Sequence, residues 1–268
     1  MTALQQYVDI WWRSVGDFVE LVSALPQEDW SRPTDLPGWD VRAVVSHVAH
    51  LEGVLGGAPE ESVAVPELAH VVGPMGRFTE IGVITRRDVE PASVVEQIRR
   101  YTAARHADLL ATPPTDPGAP APGIFGLIGW NDRTLLRNRP LDIWMHEQDI
   151  RRATGHPGNL DSPGARHSAD YLLESMGFVL GKRLKAAPGT TLVAAVEGHR
   201  PTAITVDGSG RGVSLPEPPT EPDVTLRMGR ETFILLAGGR RPAARADVVV
   251  DGDTDLAARF LAALAVTP

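Results

Sequence analysis

Apolar residues recur along the start of the chain at steps of four and three. Leu4, Val8, Trp11, Val15, Phe18, Val22 and Leu25 fall on one stripe of a long helix, and Pro26 closes it. The connector from Trp30 to Trp39 holds too much Pro, Gly, Ser and Thr to be regular, and Asp40 is placed to cap a second helix beginning near Val41. Val44, Val48, Leu51 and Leu55 form its inward face, which sets His47 at or beside the core. Gly56 and Gly57 stop that helix. Residues 58–90 mix short apolar runs with Pro and Gly, and no regular element is predicted there. Pro91 suits the first position of a helix running to about Ala111, with Val94, Ile98, Tyr101 and Leu109 buried. Residues 112–123 read as a Pro/Gly-rich linker or lid, and residues 130–155 as a helix kinked or restarted at Pro140 and capped by Gly155. A further helix is expected from roughly Ala165 to Leu184.

Beyond Pro188 the period changes. Short β-rich runs appear at 191–197, 202–207 and 246–252, with helical segments at 231–238 and 254–264. The pattern therefore predicts a helix bundle over residues 1–187 and a small α+β domain over 188–268.

Composition narrows the functional classes. The 268 residues, 43% of them hydrophobic, suffice for two domains of ordinary size. A net charge of −8 without any sizeable Lys/Arg cluster argues against nucleic acid or an anionic membrane as partner. The absence of cysteine excludes disulfides, Cys-ligated zinc and a protein-borne thiol nucleophile, so any thiol chemistry must import its sulfur. No basic-then-apolar leader opens the chain and no long uninterrupted apolar run follows, so a cytoplasmic location is expected.

The candidate chemistry sits in Trp130–Gly155. Asp142, His146 and Asp149 are spaced four and three apart and share one helix face, where Asp142 and His146 can hold one metal ion. His47 is the candidate third ligand, with His50 its rival on a face turned about sixty degrees away. Three ligands from His and carboxylate leave a fourth position of a zinc site open to water or substrate. Each residue has an ordinary reading too: Asp142 as helix-dipole partner, His47 and His146 as core histidines, Asp149 as an ion pair with Arg152. Glu147 is expected to face solvent, and Trp39 and Trp144 to anchor the core near the site.

Two whole motifs add to this. Leu36-PGWDVRAVVSHVAHLEG and Asn138-RPLDIWMHEQDIRRATG resemble the signature segments of the DinB-like metalloenzyme superfamily, in its branch of actinobacterial mycothiol-dependent maleylpyruvate isomerase-like proteins. The C-terminal part is similar to that branch's second domain, a sterol-carrier-like α+β fold. The resemblance implies a DinB-like four-helix bundle, a divalent metal, with zinc expected, on His47, Asp142 and His146, and mycothiol as thiol cofactor or cosubstrate. The characterised isomerases carry Glu where this chain has Asp142, one methylene shorter, which leaves the metal's identity and the shape of the open site less defined.

What the resemblance implies chemically is a thiol transferase or cis–trans isomerase acting on a small electrophile. A hydrolase would use the same ion to activate water, and a non-catalytic binding protein would need only the fold. The Gly-Gly-Arg-Arg turn at 238–241 resembles the isomerases' Gly-Arg segment, making Arg240 the candidate for binding a carboxylate, with Arg241 the alternate. Its ordinary reading is a helix C-terminus decorated with Arg. Asp149 is a candidate to accept the free ring N–H of a metal-bound histidine.

Overall fold

The computed structural model describes residues 4–267, which form two compact units dividing between Gly164 and Ala165. The division falls earlier than the 187/188 boundary expected from the change of period. The helical stretch before the sheet packs on that sheet: a Cβ on Gly177 would stand 2.7 Å from the Gly212 carbonyl oxygen. Only glycine lets the two backbones approach so closely.

In the first unit α1 (Gln5–Ala24) presents the predicted stripe, and Leu25 turns extended where Pro26 follows. The second helix, α2 (Val41–Leu55), starts where expected, with the Asp40 carboxylate accepting from the Ala43 N–H at 2.8 Å. A helix not foreseen, α3 (Gly73–Thr85), lies inside residues 58–90, and Pro74 occupies its first turn. Pro91 opens α4 (Pro91–Ala111), and a short α5 (Gly123–Leu127), not foreseen, follows the expected linker. The long α6 (Asp132–Thr154) is capped by Asn131, which accepts from Thr134 N–H at 2.9 Å, and ends at Gly155 in the left-handed conformation, φ 72°. It runs through Pro140 without a break or restart.

Trp11 and Phe18 of α1, Val44 and Val48 of α2, Ile98 of α4 and Ile143 and Ile150 of α6 belong to one buried cluster. Removing each such side chain from water stabilises the bundle by about 1.5–3 kcal/mol. In α6 nearly every residue from Arg139 to Ile150 is buried, so this helix is enclosed rather than amphipathic. Any polar side chain on it must therefore find a partner inside the protein.

The second unit takes most of α7 (Pro163–Leu173), a single turn α8 (Met176–Phe178) and a π-helical turn (Val179–Arg183). Among its described residues a five-stranded sheet follows, with β1 (Thr191–Val196), β2 (Thr202–Val206), β3 (Gly212–Leu215), β4 (Val224–Met228) and β5 (Val249–Gly252) in the order β3-β2-β1-β4-β5. β1 and β4 pair in parallel and the other neighbours antiparallel. Helices α9 (Arg230–Ala237) and α10 (Thr254–Ala262) flank β5 in the chain, as the sequence pattern predicts. Helix bundle followed by small α+β sheet is the expected fold class. Among the described residues no helix is long and apolar enough to cross a membrane.

Candidate metal centre

The structure brings three predicted residues to one point. One ring nitrogen each from His47 and His146 and a carboxylate oxygen of Asp142 lie within 4.8 Å of one another. His47 Nε2 stands 3.6 Å from Asp142 Oδ2, and His146 Nε2 stands 3.7 Å from Asp142 Oδ1. The two imidazoles meet edge to face, with ring centres 4.8 Å apart and planes at 72°.

These separations are long for hydrogen bonds and short for strangers. A tetrahedral zinc with bonds of about 2.0–2.2 Å holds its ligand atoms roughly 3.3–3.6 Å apart, close to the two histidine–carboxylate separations. Neither ring nitrogen of His47 has a hydrogen-bond partner, nor does Asp142 Oδ2, although all three atoms are buried. Buried polar atoms left without a hydrogen bond cost about 1–3 kcal/mol each, and a cation between His47 and Asp142 would satisfy one ring nitrogen and the carboxylate oxygen. Asp142 reaches the cluster despite lacking the extra methylene of a Glu.

Protonation states suit the same purpose. Burial pushes the His47 imidazole down to about 4, against the upward pull of Asp142, so it is neutral and able to donate a lone pair near pH 7. Burial raises the Asp142 carboxyl, but the Arg139 guanidinium, with His146 and His47, outweighs it and holds the group well below the usual carboxylate range. Metal ligands must be deprotonated, and both are.

The residues behind the ligands are as specific as the ligands. Asp149, completely buried, lies 3.2 Å from His146 Nδ1 through Oδ2 and accepts from Arg152 Nη2 at 2.6 Å through Oδ1. The two roles weighed for it are filled together. Because a carboxylate only accepts, Nδ1 carries the proton and Nε2 turns its lone pair to the cluster. Arg139 is 1% exposed and donates Nε to Glu52 Oε1 at 2.9 Å, while its Nη2 stands 3.0 Å from Asp142 Oδ2 at an angle poor for hydrogen bonding. Glu52 also takes Arg105 Nη1 at 3.2 Å. Arg105–Glu52–Arg139–Asp142 is thus a buried chain of alternating charge ending at the metal cluster. Arg139 was missed in the sequence, although it precedes Asp142 by one helical turn.

Trp39 walls the cluster, its ring centre 5.0 Å from that of His47 and 6.2 Å from that of His146. Its Nε1 donates at 3.0 Å to Glu80, a buried carboxylate that also meets His70 Nε2 at 3.3 Å. His70 packs so tightly on Gly38, φ 81°, that a Cβ there would fall 2.3 Å from its Nδ1. Trp144 is buried away from solvent, with Nε1 donating to the Asn159 carbonyl at 3.0 Å.

Two expectations change. Glu147 is not solvent-facing: it is wholly buried, bound by Arg151 Nε at 2.7 Å and by Asn159 Nδ2 at 2.8 Å, because α6 is enclosed on all sides. Burial raises its carboxyl, against Arg151 and Asn159. His50 stands outside the ligand cluster and turns instead to Glu61. Arg240 belongs to the second unit, where its Nη1 donates to the Gly238 carbonyl at 2.5 Å and Thr267 Oγ1 at 3.1 Å, just past the C-terminus of α9. Arg241 is held there by its backbone N–H on the Leu235 carbonyl, 3.1 Å.

Residues 11–151 match the family described as the mycothiol maleylpyruvate isomerase N-terminal domain, and residues 166–259 match the C-terminal domain of the same enzymes. Two uncharacterised proteins of Mycobacterium tuberculosis, from strains CDC 1551 / Oshkosh and ATCC 25618 / H37Rv, are each 27% identical over 141 residues. That stretch is 52% of this chain and 52% of each relative, so the match spans about half the length of these curated relatives. Among solved structures, the crystal structure of the mycothiol-dependent maleylpyruvate isomerase superposes with a TM-score of 0.53 at 15% identity, covering 94% of both chains. A His-to-Ala mutant of a mycothiol-dependent maleylpyruvate isomerase gives 0.51 at 14% identity with the same coverage. At this identity the likeness concerns the fold.

Proposed function

Because the chain belongs to the mycothiol maleylpyruvate isomerase family, we propose that it is a divalent-metal-dependent enzyme that uses mycothiol on a small electrophilic substrate. The observation that carries this reading is the set of buried ligand atoms of His47 and Asp142 that lack hydrogen-bond partners, gathered with His146 within 4.8 Å. Two imidazole nitrogens and one carboxylate oxygen favour zinc among the common divalent ions and leave a position open. A cation held there would supply positive charge that favours a thiolate, and mycothiol would supply the nucleophile, giving a transferred group or, after bond rotation and loss of the thiol, a cis–trans isomer.

This chain's own residues do the rest. His47, Asp142 and His146 hold the ion. Asp149 keeps His146 in the tautomer whose Nε2 is free to ligate. Arg139 holds the Asp142 carboxylate ionised, and Trp39 limits water on the histidine side. Arg240, with Arg241 as the alternate, is our candidate for binding a carboxylate of substrate or thiol; Arg240→Ala should then raise KM more than it lowers kcat.

The test is elemental analysis of the purified protein and of His47→Ala, Asp142→Ala and His146→Ala, followed by calorimetric titration with mycothiol. Metal near one per chain, lost in each variant, with mycothiol binding only the loaded form, is expected. A metal-loaded protein that ignores mycothiol would transfer the reading to a hydrolase of small amides or esters. A wild type that resists metal altogether would return the three residues to structural roles and leave a non-catalytic binding protein.

A further inference from the structure

His50 follows His47 by three positions on α2, is 2% exposed, and is not part of the metal cluster. Its Nδ1 lies 2.8 Å from Glu61 Oε2. Glu61 is in turn clamped by Arg86, whose Nη1 and Nη2 donate to its two oxygens at 2.8 and 2.6 Å, and Thr85 Oγ1 adds a third donor at 3.2 Å. Arg86 itself is fixed by Gln97 Oε1, 2.9 Å from its Nε. The backbone of α3 comes in so close that a Cβ on Gly82 would stand 2.1 Å from the His50 Cβ, and the ring packs on Phe78 with centres 4.8 Å apart. Nothing about this imidazole is loosely held.

The far nitrogen is a different matter. His50 Nε2 is buried and has no hydrogen-bond partner. Since Glu61 accepts and cannot donate, Nδ1 carries the ring proton and Nε2 of the neutral ring is a bare lone pair in want of a donor. Phe78, against which the ring lies, packs in an apolar cluster with Leu51 and Leu135. Leu51 is one turn beyond His47 on α2 and Leu135 two turns before Asp142 on α6, so this cluster continues the two stripes that bear the metal ligands. His50 is itself one helical turn from His47 on α2, a spacing that makes the two side chains neighbours, with Cβ atoms about 5–6 Å apart.

We propose that His50, positioned by Glu61, is the base that takes the proton of the incoming thiol. The S–H bond breaks with its electron pair left on sulfur, an N–H bond forms at Nε2, and the Glu61 carboxylate balances the imidazolium so made. The same proton returns to sulfur when the thiol departs. This inference rests on the thiol-dependent reading above, and it adds what that reading lacks, a protein group to receive the proton within a buried site.

Counting protons released on thiol binding tests it without any turnover assay. Mycothiol is titrated into the metal-loaded protein near pH 7.5 in buffers of different ionisation enthalpy. The wild type should release close to zero protons per bound thiol, and His50→Gln about one, because a thiolate forms in both but only the wild type keeps the proton. Equal release from both proteins overturns the proposal. Metal content and the melting temperature confirm that the variant is intact; should it fail to fold, Glu61→Gln keeps His50 in place and must raise the release, and an unchanged value there overturns the proposal as well. Absence of any thiol binding in the metal-loaded wild type is the separate result that removes the underlying functional reading and this inference with it.

Discussion

The two helices that supply the candidate metal ligands treat them differently. On α6 each ligand has a neighbour one turn away: Arg139 stands 3.0 Å from Asp142, and Asp149 lies 3.2 Å from His146 and is itself held by Arg152. On α2 His47 has no hydrogen-bond partner at either nitrogen. The cause is visible in the spacing. Three residues either side of His47 stand Val44 and His50, the first apolar and the second turned to Glu61. Polar partners thus set the geometry of the α6 half, while His47 on α2 is held by ring packing against Trp39 and His146.

The largest effect that would break this contrast is expected at Glu52. Glu52→Ala leaves Arg139 and Arg105 buried without their shared carboxylate, which should cost about 3–5 kcal/mol in urea unfolding. It should also weaken metal binding by freeing Arg139 to move. A loss below 1 kcal/mol, on the order of an exposed ion pair, would show that the buried chain is not what organises α6. Next comes Asp149→Ala, expected to lower metal affinity by about 10–100-fold in competition with a chelator, since His146 loses the acceptor that fixes its tautomer. Unaltered affinity would erase the distinction between the two histidines.

The α2 side is probed by packing. Gly82→Ala forces a methyl into the His50 side chain and should destabilise by about 1–3 kcal/mol, with α3 displaced from α2. Near-neutral stability would mean that α3 is not pressed against that histidine. The smallest effect concerns pH. Burial raises the Glu61 carboxyl, but hydrogen bonds from His50 and Arg86 outweigh it and bring the group down to about 2. A carboxyl depressed on folding contributes stability above its unfolded value, and that contribution is lost as the pH falls from about 4.5 towards 2. Glu61 is partly exposed, so solvent screening limits the effect to about 1 kcal/mol or less. Glu61→Gln should flatten that part of the acid-unfolding curve, and an identical curve would deny the pair any energetic weight.

Legibility in the sequence followed amphipathic strength. α1 and α4 show their period because each buries one stripe, whereas α2, buried at every position from Val41 to Gly53 except Arg42, is marked by its Asp40 cap, and Pro91 marks the start of α4. α3 escaped because only Glu80 and Gly82 of its thirteen residues are buried, so no apolar stripe announces it. β3 escaped for a related reason: it is an edge strand of four residues without a buried position, and β4, which alternates Val224, Leu226 and Met228 with Thr225 and Arg227, is only five residues long. Glu147 was misjudged because its burial depends on what surrounds α6, which no local pattern reports.

By itself the sequence determined that Asp142, His146 and Asp149 share a helix face, that α6 ends at Gly155, and, through two whole motifs, that His47 belongs with them. Those are properties of a repeating backbone, whose hydrogen bonds span four residues and so are written within a few positions of one another. Tertiary structure alone decided that His47 Nε2 comes to 3.6 Å from Asp142, that one carboxylate at Glu52 serves two arginines, and that Glu61 reaches back to His50. Each of these joins segments distant in the chain, and the partner of a buried charge is fixed by how helices pack, because only packing excludes the water that would otherwise have solvated it.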